Sequence, residues 1–275
     1  MTKWIGEPGV YALGQCDFAE TLAACAGGVD LVVTSPPYDD ARTYGNAVSW
    51  TFADYQRLGD AVFGALKPGG HCLMVLDGPV RDWRKGFGTE RSFTPWKVML
   101  DWAERVGFRV PERLAYGRYG VPGEYRGRFR NDWEPMLWFQ RPGAKGYFDR
   151  WPLVEKAKYD GRGGSSGNRN RAGDIETRRR SGRAVEEGLK HRGTYWEYGN
   201  VGNGRDPIGE ATDHPARFTL RLAEDVVQCF CPPGGLVVDP FVGSGTSLVA
   251  AALHGRRFVG GDALARPADG RPWVD

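Results

Sequence analysis

The 275-residue chain has little with which to staple itself or to hold a metal ion. Its five cysteines, Cys16, Cys25, Cys72, Cys229 and Cys231, are odd in number and sit mostly inside apolar runs. They are expected as reduced core thiols, not as a disulfide framework. Cys229-x-Cys231 lacks the second ligand pair that a zinc site of the usual spacing needs. No apolar run approaches the ~18 residues of a membrane span. The segment from Met1 to Glu7 carries no apolar signal stretch, so a cytoplasmic protein without a membrane partner is expected. The net charge of +3 is too small to announce a nucleic-acid partner from the whole chain. No metal site is expected.

What the sequence does have is a run of short apolar segments separated by glycine- and proline-rich turns. Hydrophobic residues make up 41% and aromatics 12%, and there are 40 glycines. That is enough apolar material for a large core. Residues 10–14, 29–33, 71–76, 109–116, 133–139, 235–238 and 256–262 read as strands. Helices are expected over 19–25, 54–66, 96–106 and 247–253, and over a stretch that starts at Asp213 and runs to Phe230. In the 54–66 helix, Tyr55, Leu58, Val62 and Leu66 share one face. In the 96–106 helix the shared face is Trp96, Met99, Leu100 and Ala103. Strands alternating with helices point to an α/β fold with a mostly parallel sheet.

Two stretches carry the chemistry. The first is Asp239-Pro240-Phe241-Val242-Gly243-Ser244-Gly245-Thr246-Ser247, a Gly-rich turn between a strand and a helix. Such a turn lets the backbone approach a ligand and presents helix N–H groups to it. No Gly-Lys-Ser/Thr follows, so it is not a P-loop, and the three-glycine dinucleotide pattern is missing too. The next strand ends in Asp262, about 20 residues on, where an acid can accept hydrogen bonds from ribose hydroxyls. The second stretch is Thr34-Ser35-Pro36-Pro37-Tyr38, which leaves the strand at 29–33. The prolines fix the local backbone and remove two donors. Carbonyls beside an aromatic wall suit a planar amine.

Ser35-Pro36-Pro37-Tyr38 after one strand, with Asp239-Pro240-Phe241-x-Gly243-Ser244-Gly245-Thr246 after another, resembles the amino-methylating DNA methyltransferases that use S-adenosylmethionine. The catalytic motif precedes the cofactor motif, as in the circularly permuted beta class. The resemblance implies a Rossmann-like methyltransferase fold: a mostly parallel, seven-stranded sheet closed by an antiparallel hairpin. It implies a catalytic half at 1–145, an insert at 146–210 that reads the DNA target, and a cofactor-binding half at 211–275. It makes Ser35, Pro36, Pro37 and Tyr38 catalytic, with Ser35 and the Pro36 carbonyl accepting amine N–H bonds and Tyr38 stacking on a flipped base. It places Thr34, Asp239, Pro240, Phe241, Gly243, Ser244, Gly245, Thr246 and Asp262 at the cofactor. His214, Arg217 and Phe218 match a His-Pro-x-Arg/Lys-Phe motif beside the cofactor's methionine end, with Thr219 in place of the usual proline. Asp17 either meets the cofactor adenine or caps the helix that follows it, and Gln15 is the other candidate for that contact. His71, alone at a strand start, is expected to be structural.

A serine at the first motif position points to N4 of cytosine, with N6 of adenine as the alternative. A third reading is a DNA-binding protein on this scaffold without turnover. Double-stranded DNA is the expected partner. The resemblance admits a homodimer and a cognate restriction endonuclease without specifying either. Residues 150–205 hold 13 Lys or Arg against 7 Asp or Glu. Arg178, Arg179 and Arg180 there, and Arg126, Arg128 and Arg130 in an aromatic-bearing loop, are candidate DNA contacts. A solvated charged loop is the plainer reading of both.

Overall fold

Val29–Thr34 is buried at every position, as a strand must be when helices cover both faces of a sheet. It is β3, the centre of the structure, which is a computed structural model. The structure describes residues 4–38, 50–78, 80–83, 88–118, 129–157, 165–179, 183–198 and 218–263. Before β3 come β1 (Trp4–Glu7), β2 (Tyr11–Gln15) and α1 (Phe18–Ala23). After it come α2 (Phe52–Ala65), β4 (Leu66–Val75), the hairpin β5 (Val80–Trp83) and β6 (Gly88–Arg91), and α3 (Thr94–Asp101). Then follow β7 (Arg113–Arg118), β8 (Trp133–Gln140), β9 (Val154–Lys156), β10 (Ser165–Arg169), β11 (Ile175–Arg179), α4 (Arg183–Glu186) and β12 (Leu189–His191). The chain closes with β13 (Tyr195–Tyr198), α5 (Leu220–Phe230), β14 (Leu236–Asp239), α6 (Thr246–Leu253) and β15 (Arg257–Asp262).

The large sheet has the order β1-β2-β15-β14-β3-β4-β8-β7-β13. Its middle run, β2 through β4, is parallel. The β7–β8 pair is antiparallel and closes onto β4. The seven strands expected from sequence are the seven consecutive ones from β2 to β7. The sheet is nine-stranded because β1 and β13 extend its edges. β13, which falls inside the 146–210 stretch, therefore belongs to the large sheet.

The chain divides into two compact units, Met1–Phe148 with Thr194–Asp275, and Asp149–Gly193. The first holds the main core. Tyr55, Leu58, Val62 and Leu66 are all 0% exposed, so the expected face of α2 is the buried one. The helix begins at Phe52, earlier than residue 54, because Thr51 and Asp54 form a reciprocal capping box. The inward side of α3 differs from the expectation. Trp96 and Leu100 are 37% and 58% exposed, while Val98 and Trp102 are fully buried. Trp102 decides this: its indole lies against α2 and its Nε1 donates to the Tyr55 carbonyl at 2.9 Å. A Cβ at Gly59 would stand 2.6 Å from that indole nitrogen, so only glycine permits the approach. Past Asp101 the helix loosens into a π-helical turn over Trp102–Val106, and Gly107 ends it at φ 93°.

The second unit is small. Leu153 is its buried apolar residue among those described. Trp151 packs edge-on to His191 at 5.2 Å and under the Arg183 guanidinium at 4.2 Å. β10 and β11 pair as an antiparallel ribbon turned at residues 170–174, where Asn170 Oδ1 accepts from the Ala172 and Asp174 amides.

All five cysteines are free thiols, and burial pushes that of Cys231 up to about 12. Among the described residues no His, Cys, Asp and Glu group could hold a metal ion. No described helix is long and apolar enough to cross a membrane.

Candidate active site

The parallel strands β3 and β14 lie side by side, yet their onward connections diverge. β14 leads through α6 to β15 on one flank, and β3 leads through α2 to β4 on the other. A crevice opens at such a switch point, beyond the carboxyl ends of the strands. Both sequence motifs emerge there. One hydrogen bond joins them across 205 positions: Thr34 Oγ1 donates to Asp239 Oδ1 at 2.7 Å.

Asp239 is the hub of this junction. It is 2% exposed. Oδ1 also accepts from the Phe241 amide at 3.0 Å, and Oδ2 accepts from Ser247 Oγ at 2.6 Å. Thr34 and Asp239 thus hold the turn to β3, with their polar atoms directed at each other. Burial raises the Asp239 carboxyl from 3.8 to about 6, against the lowering effect of its hydrogen bonds.

The turn itself runs from Pro240 to Thr246. Gly245 sits at φ 85° directly before α6, a conformation that costs other residues strain. Phe241 packs against Phe18 and Trp50 at 5.8 and 5.4 Å. This ties the turn to the start of α1 and the entry to α2. Ser244 and Thr246 share a hydroxyl contact at 3.3 Å. Asp262, at the end of β15, accepts from the Gly243 amide through Oδ2 at 3.0 Å. Neighbouring backbone agrees, with the Val242 amide on the Gly261 carbonyl at 3.0 Å. The acid expected at a ribose therefore also braces the turn. Gln15 stands opposite Asp262 in the β2–β15 register. Asp17 caps α1, its Oδ1 accepting from the Glu20 amide at 2.9 Å.

Ser35, Pro36, Pro37 and Tyr38 continue from β3. Ser35 and Pro37 are half-buried and Pro36 is buried. The Pro37 carbonyl accepts from Tyr55 Oη at 2.7 Å, so α2 fixes the motif's backbone. Tyr38 does not stand free as a stacking wall. It is 8% exposed and its hydroxyl donates to Glu134 Oε2 at 3.1 Å. Ser35 Oγ in turn donates to that tyrosine oxygen at 3.3 Å. Asp77, just past β4, is buried beside the motif. It accepts from the Gly78 amide at 2.8 Å and from Asn131 Nδ2 at 3.3 Å, and it pairs with Arg91.

Glu134 and Asp77 were not singled out from sequence, and Tyr55 and Ser247 were read only as a packing residue and as the end of the Gly-rich stretch. Glu134 and Asp77 carried a signal: a lone acid within or directly after an apolar run must find a partner when buried. Phe218 is buried beside Thr219. Thr219, where the motif usually has proline, is the N-cap of α5 and accepts from the Leu222 amide at 3.3 Å. The helix therefore starts at Leu220, later than the expected Asp213. Asp213, His214, Arg217, Arg126, Arg128 and Arg180 lie outside the described residues. Arg130 is exposed next to Phe129, which is 97% exposed.

His71 is structural. It is 1% exposed. Nδ1 accepts from Trp138 Nε1 at 3.1 Å, and Nε2 faces the Tyr147 carbonyl at 2.8 Å. The ring is therefore a neutral imidazole with its proton on Nε2. Burial lowers its pKa from 6.5 to about 4. Between those values the unfolded chain takes up a proton that the folded one refuses, so acid weakens the fold by up to about 3 kcal/mol through this group. Asp239 acts oppositely, since between 3.8 and about 6 the folded state holds the extra proton. The two offset each other below pH 6. Asp239→Asn removes one of them. Its stability, followed by urea denaturation, should fall more steeply than the wild type's between pH 6 and 4. Parallel curves would show that Asp239 titrates as an ordinary carboxyl.

The chain is similar to known proteins. The family model described as DNA methylase, named for N6 and N4 methyltransferases, matches residues 29–266. The orphan methyltransferase M.BamHII of Bacillus amyloliquefaciens is 29% identical over 245 residues, covering 88% of this chain and 85% of that protein. The DNA adenine methyltransferase YhdJ of Escherichia coli is 22% identical over 242 residues, covering 88% of this chain and 74% of that protein. Among solved structures, the cytosine-N4-specific PvuII DNA methyltransferase superposes with a TM-score of 0.65 at 19% identity, covering 95% of this chain and 86% of that one. A putative DNA modification methylase from Thermus thermophilus, solved with S-adenosyl-L-methionine, gives 0.58 at 24% identity, with 92% and 88% covered.

Proposed function

The chain belongs to the DNA methylase family of N6 and N4 methyltransferases, and on that premise we propose that it methylates the N4 amine of cytosine in double-stranded DNA. S-Adenosylmethionine, when bound, supplies a methyl group made electrophilic by a sulfonium charge. The residues fit such a ligand. A Gly-rich bend with positive φ at Gly243 and Gly245 opens at the strand ends. An acid at the end of the next strand braces it at Gly243. That is the setting in which nucleoside-bearing ligands are held.

The observation that carries the reading is the Thr34–Asp239 hydrogen bond of 2.7 Å, because it sets the amine-binding motif beside the cofactor turn. An exocyclic amine is a poor nucleophile while its lone pair is shared with the ring. Ser35 Oγ and the Pro36 carbonyl accept its N–H bonds and hold the nitrogen in line for transfer. Their contribution is orientation and preorganised electrostatics. Inside a duplex the amine is out of reach, so the base must leave the stack. What supports cytosine is the resemblance, in which a serine at the first motif position, here Ser35, goes with N4 of cytosine.

Mass spectrometry of nucleosides from DNA incubated with enzyme and methyl-labelled cofactor tests this. Labelled N4-methylcytosine is expected. Labelled N6-methyladenine would overturn the base assignment alone. Bound cofactor and bound DNA without any labelled nucleoside would leave a binding protein on this scaffold.

The β10–β11 ribbon supports a DNA partner. Its register pairs Ser165 with Arg179, Ser166 with Arg178 and Asn168 with Glu176. By residue type, Ser-Ser-Gly-Asn-Arg and Ile-Glu-Thr-Arg-Arg lack the apolar run or alternation of a core strand. A two-stranded polar ribbon fits the major groove, where Arg and Asn read guanine and adenine. Arg178→Ala with Arg179→Ala should weaken DNA binding and lower the salt slope by about 1 for each phosphate no longer neutralised, with cofactor affinity unchanged. An unaltered slope would make both a solvated surface.

A further inference from the structure

The geometry points to Glu134 as a positioning residue for methyl transfer, acting on Ser35 through the Tyr38 hydroxyl; this rests on the methyltransferase reading above. β8 runs antiparallel to β4. Its first residues therefore lie at the end of the sheet where the parallel strands β3 and β14 deliver the two motifs. Glu134 is second in β8 and 5% exposed. Its neighbour's carbonyl, that of Pro135, accepts from the Leu76 amide at 3.1 Å, which fixes the strand at the mouth of the site.

A carboxylate can only accept. Tyr38 therefore turns its proton toward Glu134, at 3.1 Å, and offers its oxygen to Ser35, at 3.3 Å. Ser35 then commits its own proton to Tyr38. What the serine presents to the crevice is lone pairs, which is what an amine N–H needs. Without the acid, each hydroxyl in the chain can reverse. A reversed Ser35 directs a proton at the amine and competes for the lone pair that must attack.

The acid has a second effect along the same line. Positive charge develops on the attacking nitrogen as its bond to the methyl carbon forms and the carbon–sulfur bond breaks, and it is relieved when that nitrogen gives up a proton. A buried anion two hydroxyls away favours that charge in a setting with little water to screen it. Both effects act on the transition state, so they belong to the transfer rate and not to DNA affinity. Tyr38 is then more than a ring: its hydroxyl relays the direction of the chain.

The test is single-turnover methyl transfer with saturating cofactor and DNA, for wild type, Glu134→Gln, Tyr38→Phe and the double variant. Tyr38→Phe keeps the ring in its packed place and removes the relay, so it reports even if Glu134→Gln misfolds. Each single variant should slow transfer by about 10- to 100-fold, with DNA and cofactor dissociation constants within about twofold. Because the two residues form one chain, the double variant should be no slower than the worse single. Wild-type rates in either single variant, or losses that multiply in the double, overturn the proposal and leave the methyltransferase reading standing. A wild-type protein that transfers no methyl group to DNA overturns both.

Discussion

Asp239→Ala is expected to destabilise the protein by about 3–5 kcal/mol, the largest effect of any single site residue. The side chain is 2% exposed and receives Thr34 Oγ1, Ser247 Oγ and the Phe241 amide. Alanine leaves these donors buried without their acceptor. The amide has little freedom to find another partner, whereas the two hydroxyls can turn, so the three costs do not simply add. Asp239→Asn separates charge from hydrogen bonding. Its oxygen can keep Thr34 and Phe241, and Ser247 can rotate to accept from the new amide. The asparagine variant should therefore lose no more than about half as much. Urea denaturation at pH 7 reads both values. If asparagine is as damaging as alanine, the negative charge itself holds the junction together.

Asp262→Ala should weaken S-adenosylmethionine binding about 10- to 100-fold, or roughly 1–3 kcal/mol. Two losses combine. The acid's expected bonds to ribose hydroxyls disappear, and so does the brace on the Gly243 amide at 3.0 Å. Asp262→Asn retains an oxygen for the amide and loses the negative acceptor. It should fall between wild type and alanine. Calorimetric titration with the cofactor measures the three affinities. An alanine variant that binds as tightly as wild type would remove Asp262 from the site. Equal losses in alanine and asparagine would assign the effect to the charge and none of it to the brace. Thermal stability should drop little in either variant, because Asp262 is only half-buried.

Much of this was legible in the sequence because it is local. Apolar runs punctuated by glycine and proline reveal strands whichever neighbours they later find. That is why all seven strands of the inner sheet, the buried face of α2 and the role of His71 as a buried structural residue could be read from residue order. The two motifs were legible for a related reason. A Gly-rich turn and a double proline impose their geometry within a few residues. Asp17 shows the limit of such reading, since the same acid serves as a cap or a ligand contact by local rules, and the structure puts one oxygen on the cap.

The rest is decided by contacts between distant segments. Thr34 and Asp239 lie 205 positions apart, and nothing in either motif says that they bond. Periodicity placed Trp96 and Leu100 inward on α3. The fit of one indole over Gly59 turned Trp102 inward, because packing at a close crossing outweighs a faint apolar pattern. The extra edge strands β1 and β13 pair only because the sheet already offers open edges, a property that no single strand carries. Residue order by itself determined the α/β architecture and the family to which the chain belongs. Tertiary structure decided that Asp239 is a buried junction, and that Tyr38 is held by its hydroxyl, which donates to Glu134 on an antiparallel strand. The physical reason is that a hydrogen bond needs its partners within about 3.5 Å, and only the folded sheet brings those partners together.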